Sequence, residues 1–466
     1  MWLQNALILE RKENQHQFEV LRSEFSTFTF ERHTVRRENG TLSLAFEFNL
    51  DDRYRFRPTL EIPSRPFFDW DNIPMEQLET LAFQIGMTEL VSYWKIACPK
   101  RVVVKPFALT EKQKSFWKKL YYNGLGEFLY LNGITVSETE LMSIETLPID
   151  SNRTVPARND MGSAWFEEKT LVPIGGGKDS VVTLECLRGE MSVIPMIVNP
   201  RGATLNCVKV AGYSENDFIV INRTLDPMML QLNKEGYLNG HTPFSALLAF
   251  ISVLVAFGSH SKNIALSNEN SANESTVPGT NINHQYSKSI EFERDFRNYV
   301  AENISDDVQY FSFLRPLSEL QIASLFAQCE AYHPVFRSCN VGSKTDSWCG
   351  HCPKCLFTWI ILSPFLSREK LTAIFGKDLM ADESLRPIFE ELNGTAPVKP
   401  FECVGTVEEV NACINAGVST GSTTIGLAKV PEPVEGPTVE EILHRFNHEH
   451  FLPEKFEQIL KSKLNV

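Results

Sequence analysis

The 466-residue chain has no long apolar run, no excess of positive charge and no internal repeat. Its greasiest stretch, residues 246–257, is interrupted at Ser252 and is far shorter than the ~20 residues needed to cross a bilayer. A buried helix is expected there instead. The start of the chain turns polar after Ile8, too soon for the apolar core of a signal peptide. Lys and Arg number 45 against 58 Asp and Glu, for a net charge of −13. A diffuse acidic surface repels phosphate backbones, so a broad nucleic-acid interface is disfavoured. With 43% hydrophobic and 22% charged residues, the composition is that of a globular cytoplasmic protein, with no membrane partner expected. The length suggests roughly two to four domains.

Two common nucleotide-binding loops are also missing. A Walker loop needs Gly five places before Gly177 and Ser or Thr after Lys178, but Val172 and Asp179 stand there. A dinucleotide fingerprint needs Gly where the chain has Asp179 or Ser180. What is present is Gly175-Gly176-Gly177-Lys178-Asp179-Ser180, between an apolar strand at 171–174 and a helix expected over 179–188. Glycines let backbone amides approach an anion without interference from Cβ. The helix adds its positive end and Ser180 a hydroxyl donor. Lys178 could offset phosphate charge, and Asp179 could help to hold Mg²⁺. This loop resembles the Ser-Gly-Gly-x-Asp-Ser loop of the N-type ATP pyrophosphatases, with Gly175 in place of the Ser.

Strands at 193–198, 218–221, 264–266 and 308–313 alternate with helices, which predicts an α/β fold with a doubly wound parallel sheet. Ligands on such sheets sit beyond the carboxyl ends of the strands. Ser267, Asn268 and Glu269 follow one strand directly, with His284 and Lys288 further on. Arg315 follows the next and suits phosphate or carboxylate, or an ion pair with Glu319. His241 precedes the buried helix, with Thr242 as its expected cap and Pro243 in its first turn.

Residues 1–150 read as a separate α+β module. Leu42, Leu44, Phe46 and Phe48 alternate as a strand, Asn39-Gly40 supplies a hairpin turn, and helices are expected over 75–94 and 110–131. Substrate docking or scaffolding is its expected role. The α/β domain is assigned to 165–335 and a small tetracysteine subdomain to 336–405, with a helix over 353–378. Residues 406–466 read as a linker, rich in Gly, Ser and Thr over 416–424 and in Pro over 431–437, followed by amphipathic helices over 438–464.

Four of the ten cysteines, Cys339, Cys349, Cys352 and Cys355, are spaced C-x9-C-x2-C-x2-C. In a reducing compartment such crowding reads as metal ligation. Four thiolates suit a structural Zn²⁺, with an iron–sulfur cluster as the rival. His351 lies inside the cluster and could replace one ligand. A similar arrangement recurs in the 7-cyano-7-deazaguanine synthases, which share the phosphate loop.

From Gly175 to Gly405 the chain resembles the ATP-dependent UDP-N-acetylmuramoyl-L-alanyl-L-glutamate epimerases. The resemblance rests on the Gly175–Ser180 loop, Asn239-Gly240-His241, Ser267-Asn268-Glu269 and Asn283-His284-Gln285. It continues through Ser287-Lys288, Leu314-Arg315, Ser338-Cys339-Asn340, Cys352-Pro353-Lys354-Cys355 and Lys399–Gly405. It implies a sheet of the ATP pyrophosphatase type and a UDP-linked muramoyl dipeptide as substrate. ATP and Mg²⁺ would adenylate the terminal L-Glu, which epimerises to D-Glu as AMP and pyrophosphate are released. Gly175, Gly176, Gly177, Lys178, Asp179, Ser180, Ser267, Asn268 and Arg315 would serve the nucleotide or substrate charge. His284, Glu269, His241 and Lys288 are candidates for catalysis, the first three competing for the α-proton. The resemblance leaves the oligomeric state open.

The rivals are another adenylating ligase, a tRNA sulfur-transfer enzyme and a zinc-stabilised binding module without activity. A ligase needs a nitrogen source, and no glutaminase-like nucleophile motif is present. A tRNA enzyme wants a basic face. The intact Asp179-Ser180 speaks against a dead module.

Overall fold

The computed structural model describes residues 11–147, 161–419, 427 and 435–464. The polar start of the chain up to residue 10 lies outside them. So do residues 420–424 of the Gly/Ser/Thr-rich stretch and 431–434 of the proline segment.

Eleven strands hydrogen-bond into a single sheet: β1 (Thr27–Glu38), β2 (Thr41–Leu50), β3 (Tyr54–Phe56), β4 (Thr59–Ile62), β5 (Arg101–Val104), β6 (Ser143–Thr146), β7 (Glu167–Pro173), β8 (Ser192–Val198), β9 (Ile219–Thr224), β10 (Ser261–Leu266) and β11 (Gln309–Ser312). Their order is β11-β10-β7-β8-β9-β4-β2-β1-β5-β6, with β3 beside β2. The half from β11 to β9 is wholly parallel. Strand β7 lies between β8 and β10, so chain order reverses there. The crevice between the carboxyl ends of β7 and β10 is the topological switch point at which such sheets bind ligands.

The N-terminal strands do not form a sheet of their own. Strand β4 pairs antiparallel with β9, Leu60 opposite Arg223. Two apolar cores cover the two faces, and neighbouring residues of each central strand serve both. Leu171, Ile264 and Tyr310 enter one core, while Val172, Ala265 and Phe311 enter the other. That is the period-two alternation of strands buried on both sides. The first core unites residues from Phe18 to Tyr310, and the second runs from Val172 through the cysteine group to Leu460.

Several elements follow the expected pattern. The helix Met75–Trp94 has the predicted bounds. Asn39 and Gly40 both take positive φ, 53° and 73°, as a two-residue hairpin turn requires. Thr110 caps its helix by accepting from the Gln113 amide, and Thr438 with Glu441 forms a capping box. Others differ. The helix expected over 110–131 breaks at Leu125 into Glu111–Gly124 and Gly126–Leu131. At Gly124 a Cβ would lie 2.8 Å from the Pro243 ring, so this bend packs against the entry of the buried helix. The helix expected over 353–378 is two, Pro353–Leu362 and Arg368–Phe375; Pro364 cannot extend the first and Ser367 caps the second. The buried helix is Phe244–Ser259, with Pro243 at the cap position and no side-chain cap from Thr242. Residues 416–419 continue the helix Val407–Ser419 rather than opening a linker. Among the described residues no helix is long and apolar enough to cross a membrane.

Candidate functional site

A cleft of about 640 Å³ opens at the switch point. Gly175, Gly177, Asp179 and Ser180 line it from the carboxyl end of β7, and Ser267, Asn268 and Lys288 from that of β10 and beyond. The helix Lys178–Leu187 begins at Gly177, where no side chain caps the first amides, leaving them available to an anion. Gly176 holds φ at +80°, and a Cβ there would come within 2.9 Å of the Thr204 amide. A Cβ on Gly177 would come within 2.8 Å of Ser338 Oγ. The turn therefore needs glycine at 176, while at 177 only the rotatable Ser338 hydroxyl would have to give way. The hydroxyls of Ser267 and Ser338 line the cleft, are buried, and have no hydrogen-bond partner within the protein. Buried polar atoms without partners are costly, and a ligand rich in oxygen would satisfy them.

The lining is cationic although the chain is acidic. Arg201, Arg223, Arg337, Lys288 and Lys354 face the cleft, against Asp179 and Glu402. Burial would raise the Asp179 carboxyl, but Lys178 and then Lys354 hold it below the ordinary range. Sequence reasoning missed the arginines and Lys354 as cleft residues, because they come from segments far apart in the chain: Arg223 from β9, Lys354 from the helix Pro353–Leu362, and Arg201 and Arg337 from outside the strands.

Two of the expected phosphate or carboxylate ligands lie elsewhere. Lys178 is 0% exposed, and its ammonium donates to Asp179 Oδ1 at 2.5 Å and to Glu319 Oε2. It supports the loop from beneath. Arg315 is equally buried and turned from the cleft; it donates to the Glu269 carbonyl at 2.6 Å, the Lys288 carbonyl, Ser312 Oγ and Glu293 Oε2. Its ion pair is with Glu293 rather than Glu319, and it ties together the two loops that carry the cleft's polar residues. Glu269 is buried, accepts from Ser271 Oγ at 3.1 Å and does not line the cleft.

His241 and His284 do meet. Their rings are 4.6 Å apart, and both face Glu127 on the helix Gly126–Leu131. Glu127 Oε2 lies 2.5 Å from His284 Nδ1 and 3.5 Å from His241 Nδ1. Burial would depress His284, but hydrogen bonds with Cys403 and Glu127 outweigh it and lift the imidazole to about 10. Burial and the neighbouring His284 charge push His241 down to about 4. Near pH 7 one imidazole is charged and the other neutral. Lys288 donates to Cys403 Sγ at 3.0 Å, and its own affinity for a proton is raised, because Cys403 and Glu269 outweigh burial. Neither Glu127 nor Cys403 was a candidate from sequence. Cys403 stands in the distinctive Lys399–Cys403 stretch, which local pattern alone gave no means to position.

The four cysteines converge. Cys352 Sγ lies 3.6 Å from Cys339 Sγ and 3.5 Å from Cys355 Sγ, and Cys349 Sγ lies 3.6 Å from Cys355 Sγ. These gaps are too long for disulfides, and all four cysteines are free. They approach the edge of roughly 3.8 Å expected of a tetrahedron with metal–sulfur bonds near 2.3 Å. The amides of Gly342 and Gly350 point at Cys339 and Cys355 sulfurs, as they would at thiolates. The group can hold a metal ion closed to water. His351 is exposed and turns its Nδ1 to the Cys349 carbonyl, so it is not one of the ligands grouped here.

Family comparison agrees in extent with this architecture. The model of the MurL N-terminal domain matches residues 19–313, and that of the MurL C-terminal domain matches residues 335–423. Among curated proteins, a UDP-N-acetyl-alpha-D-muramoyl-L-alanyl-L-glutamate epimerase from a Micromonospora species is 36% identical over 82% of this chain and 84% of its own length. Proteins of the same name from Salinispora tropica and Xanthomonas oryzae pv. oryzae are 35% and 33% identical, over 82% and 83% of this chain and 82% and 84% of theirs. No solved structure matches the chain.

Proposed function

Since the chain belongs to the MurL family and is an isomerase, we propose that it converts the terminal L-Glu of UDP-N-acetylmuramoyl-L-alanyl-L-glutamate to D-Glu at the expense of ATP, for peptidoglycan synthesis in the cytoplasm. The sheet half from β11 to β9 is read as an ATP pyrophosphatase domain within residues 165–335. The observation that carries this reading is the switch-point cleft, where a glycine turn, uncapped helix amides and the unpartnered Ser267 and Ser338 hydroxyls face one cationic space.

ATP is the co-substrate that fits this lining. The amides after Gly177, with Ser180 and Ser338, suit its phosphate oxygens, and Arg201 and Arg337 balance their charge. Asp179 is the carboxylate available to a Mg²⁺ that travels with the nucleotide. The substrate's carboxylate oxygen attacks the α-phosphorus and pyrophosphate leaves. Adenylation matters because a free carboxylate resists loss of the adjacent proton, which would set a second negative charge beside the first. Once the carboxylate is adenylated its carbonyl accepts the electron pair as an enolate, a proton returns on the opposite face, and water cleaves the acyl group from AMP.

His241 and His284 are the pair suited to moving that proton. Burial and the His284 charge hold His241 neutral, while Cys403 and Glu127 keep His284 charged, so an acceptor and a donor are present together. Proton transfer by placed groups contributes about 10²–10⁴-fold in rate. Residues 336–405 form a subdomain that a structural Zn²⁺ would clamp through Cys339, Cys349, Cys352 and Cys355. Incubation with ATP, Mg²⁺ and the UDP-muramoyl dipeptide in deuterated water tests the whole reading. Deuterium should enter the terminal glutamate as AMP and pyrophosphate form. Turnover to ADP, or epimerisation without nucleotide, would overturn it.

A further inference from the structure

The hydrogen-bonded line that ends at the cleft is Glu127, His284, Cys403. Glu127 Oε2 accepts from His284 Nδ1 at 2.5 Å, and the charged His284 imidazole acts on the Cys403 sulfur, to which Lys288 Nζ donates at 3.0 Å. Cys403 itself lines the cleft beside Lys288, Asp179 and Ser180. A nucleophile bonded to an imidazole that a carboxylate in turn orients is the arrangement by which acyl groups are captured covalently. Its backbone is clamped: the Lys354 ammonium donates to the Cys403 carbonyl, and Lys399 Nζ donates to the Gly405 carbonyl at 2.9 Å.

We propose that Cys403 is the nucleophile of a Cys403–His284–Glu127 triad that takes the glutamyl acyl group from the adenylate as a thioester, from which the α-hydrogen is exchanged and the product hydrolysed. The proposal rests on the adenylation reading above. In the first step the sulfur's electron pair forms a carbon–sulfur bond. The acyl carbon–oxygen bond to AMP breaks, and AMP departs with that electron pair. His241 then takes the α-proton beside a carbonyl that carries no charge, and the charged His284 returns a proton on the opposite face. In the last step water adds to the acyl carbon, its proton passes to the now neutral His284, the carbon–sulfur bond breaks to return the thiolate, and His241 gives its proton to solvent. No oxidant or reductant is needed.

Two further features suit this role. Cys98, Cys186, Cys207, Cys329 and Cys413 are all pushed up by burial, whereas for Cys403 the Lys288 and His284 charges outweigh burial and bring the thiol down to about 5. Among these cysteines, then, the one at the cleft is the thiolate at neutral pH. Acylation removes the sulfur's charge, so the Lys288 ammonium 3.0 Å away loses its partner just as negative charge develops on the thioester oxygen. A cation released at that moment favours the enolate more than the resting state.

The test uses the full-length, metal-loaded enzyme with ATP, Mg²⁺ and the UDP-muramoyl dipeptide. After an acid quench, mass spectrometry should find the acyl group on the peptide that contains Cys403. Cys403→Ser and Cys403→Ala should still catalyse substrate-dependent pyrophosphate exchange into ATP, which also shows that they fold, yet epimerise on the order of 10²-fold more slowly or worse. Pyrophosphate exchange without an adduct in the unmodified enzyme, or epimerisation at the normal rate in either variant, overturns the thioester alone. Absence of exchange in the unmodified enzyme removes the adenylation reading and the thioester with it. The ligating atoms of Glu127, His241 and His284 lie within 4.8 Å of one another. One equivalent of a divalent cation held there, detected by metal analysis and lost in Glu127→Gln, would also overturn the triad.

Discussion

Replacing Lys178 with methionine separates two roles that a lysine beside a phosphate loop can have. In the structure its ammonium is sealed under the loop between Asp179 and Glu319, and the Glu319 side chain is 1% exposed. Methionine keeps most of the volume and removes the charge. Burial already raises the Glu319 carboxyl to about 8 although Lys178 opposes it, so without the ammonium Glu319 stays protonated with its buried partner gone. Removing one partner of such a buried pair costs about 3–5 kcal/mol. Lys178 also holds the Asp179 carboxyl low against burial. Without it burial raises that carboxyl, so the variant's deficit grows as pH rises above the unfolded value and shrinks as pH falls.

Urea unfolding of the wild type and Lys178→Met at pH 5, 6 and 7 reads this directly. Lys178→Met/Glu319→Leu should regain part of the loss, because an apolar pair of similar volume leaves no buried carboxyl without a partner. A variant as stable as the wild type at every pH, with only a weaker apparent affinity for ATP, would refute the structural role. The ammonium would then belong to the phosphates after all.

The imidazole pair predicts a rate profile. Cys403 ionises above about 5, His241 is neutral above about 4 and His284 stays charged to about 10. Epimerisation should therefore hold a plateau between about pH 5 and 10, and His241→Asn should lower it while pyrophosphate exchange continues. For the cysteine group, Cys352→Ser should release the bound metal and lower the melting temperature, measured by metal analysis and a thermal scan. Cys339, Cys352 and Cys355 are part of the same core as Leu356, Phe357 and Phe375, so losing the clamp should loosen residues as distant in sequence as Leu460.

The parts of the site that were legible in the sequence are those whose chemistry is local. The glycine turn is local because Gly176 takes positive φ, where a Cβ would meet the Thr204 amide. The cysteines declare themselves because two-residue spacings bring thiolates together. Side-chain direction was not legible. Lys178 and Arg315 are the residue types that bind phosphate, and both point into the protein, each held by a glutamate distant in sequence. The convergence of Cys403, His284 and Glu127 brings together three segments more than 100 residues apart, and no local pattern encodes it. The breaks at Leu125 and Ser363 were missed for a related reason. Apolar periodicity runs through both, and only packing and Pro364 reveal the stop.

The antiparallel join between β4 and β9 changes what the N-terminal residues are for. A detachable scaffold would share little core with the parallel half of the sheet, yet one apolar cluster runs from Phe18 to Tyr310. Arg223, which follows the middle of β9 and faces the cleft, is gripped by Glu89 of the helix Met75–Trp94, with Nη2 to Oε2 at 2.7 Å. Lys95, just beyond that helix, donates to the Gly240 carbonyl next to His241. Glu127, which orients His284, comes from the bend whose Gly124 packs on Pro243. Each contact ties an N-terminal residue to a group at or beside the reaction site. The N-terminal residues therefore supply the carboxylate that the two imidazoles share, while the parallel strands supply the glycine turn of the cleft. Neither part contains the imidazole pair and its carboxylate alone, so the proposed chemistry requires the sheet to be whole.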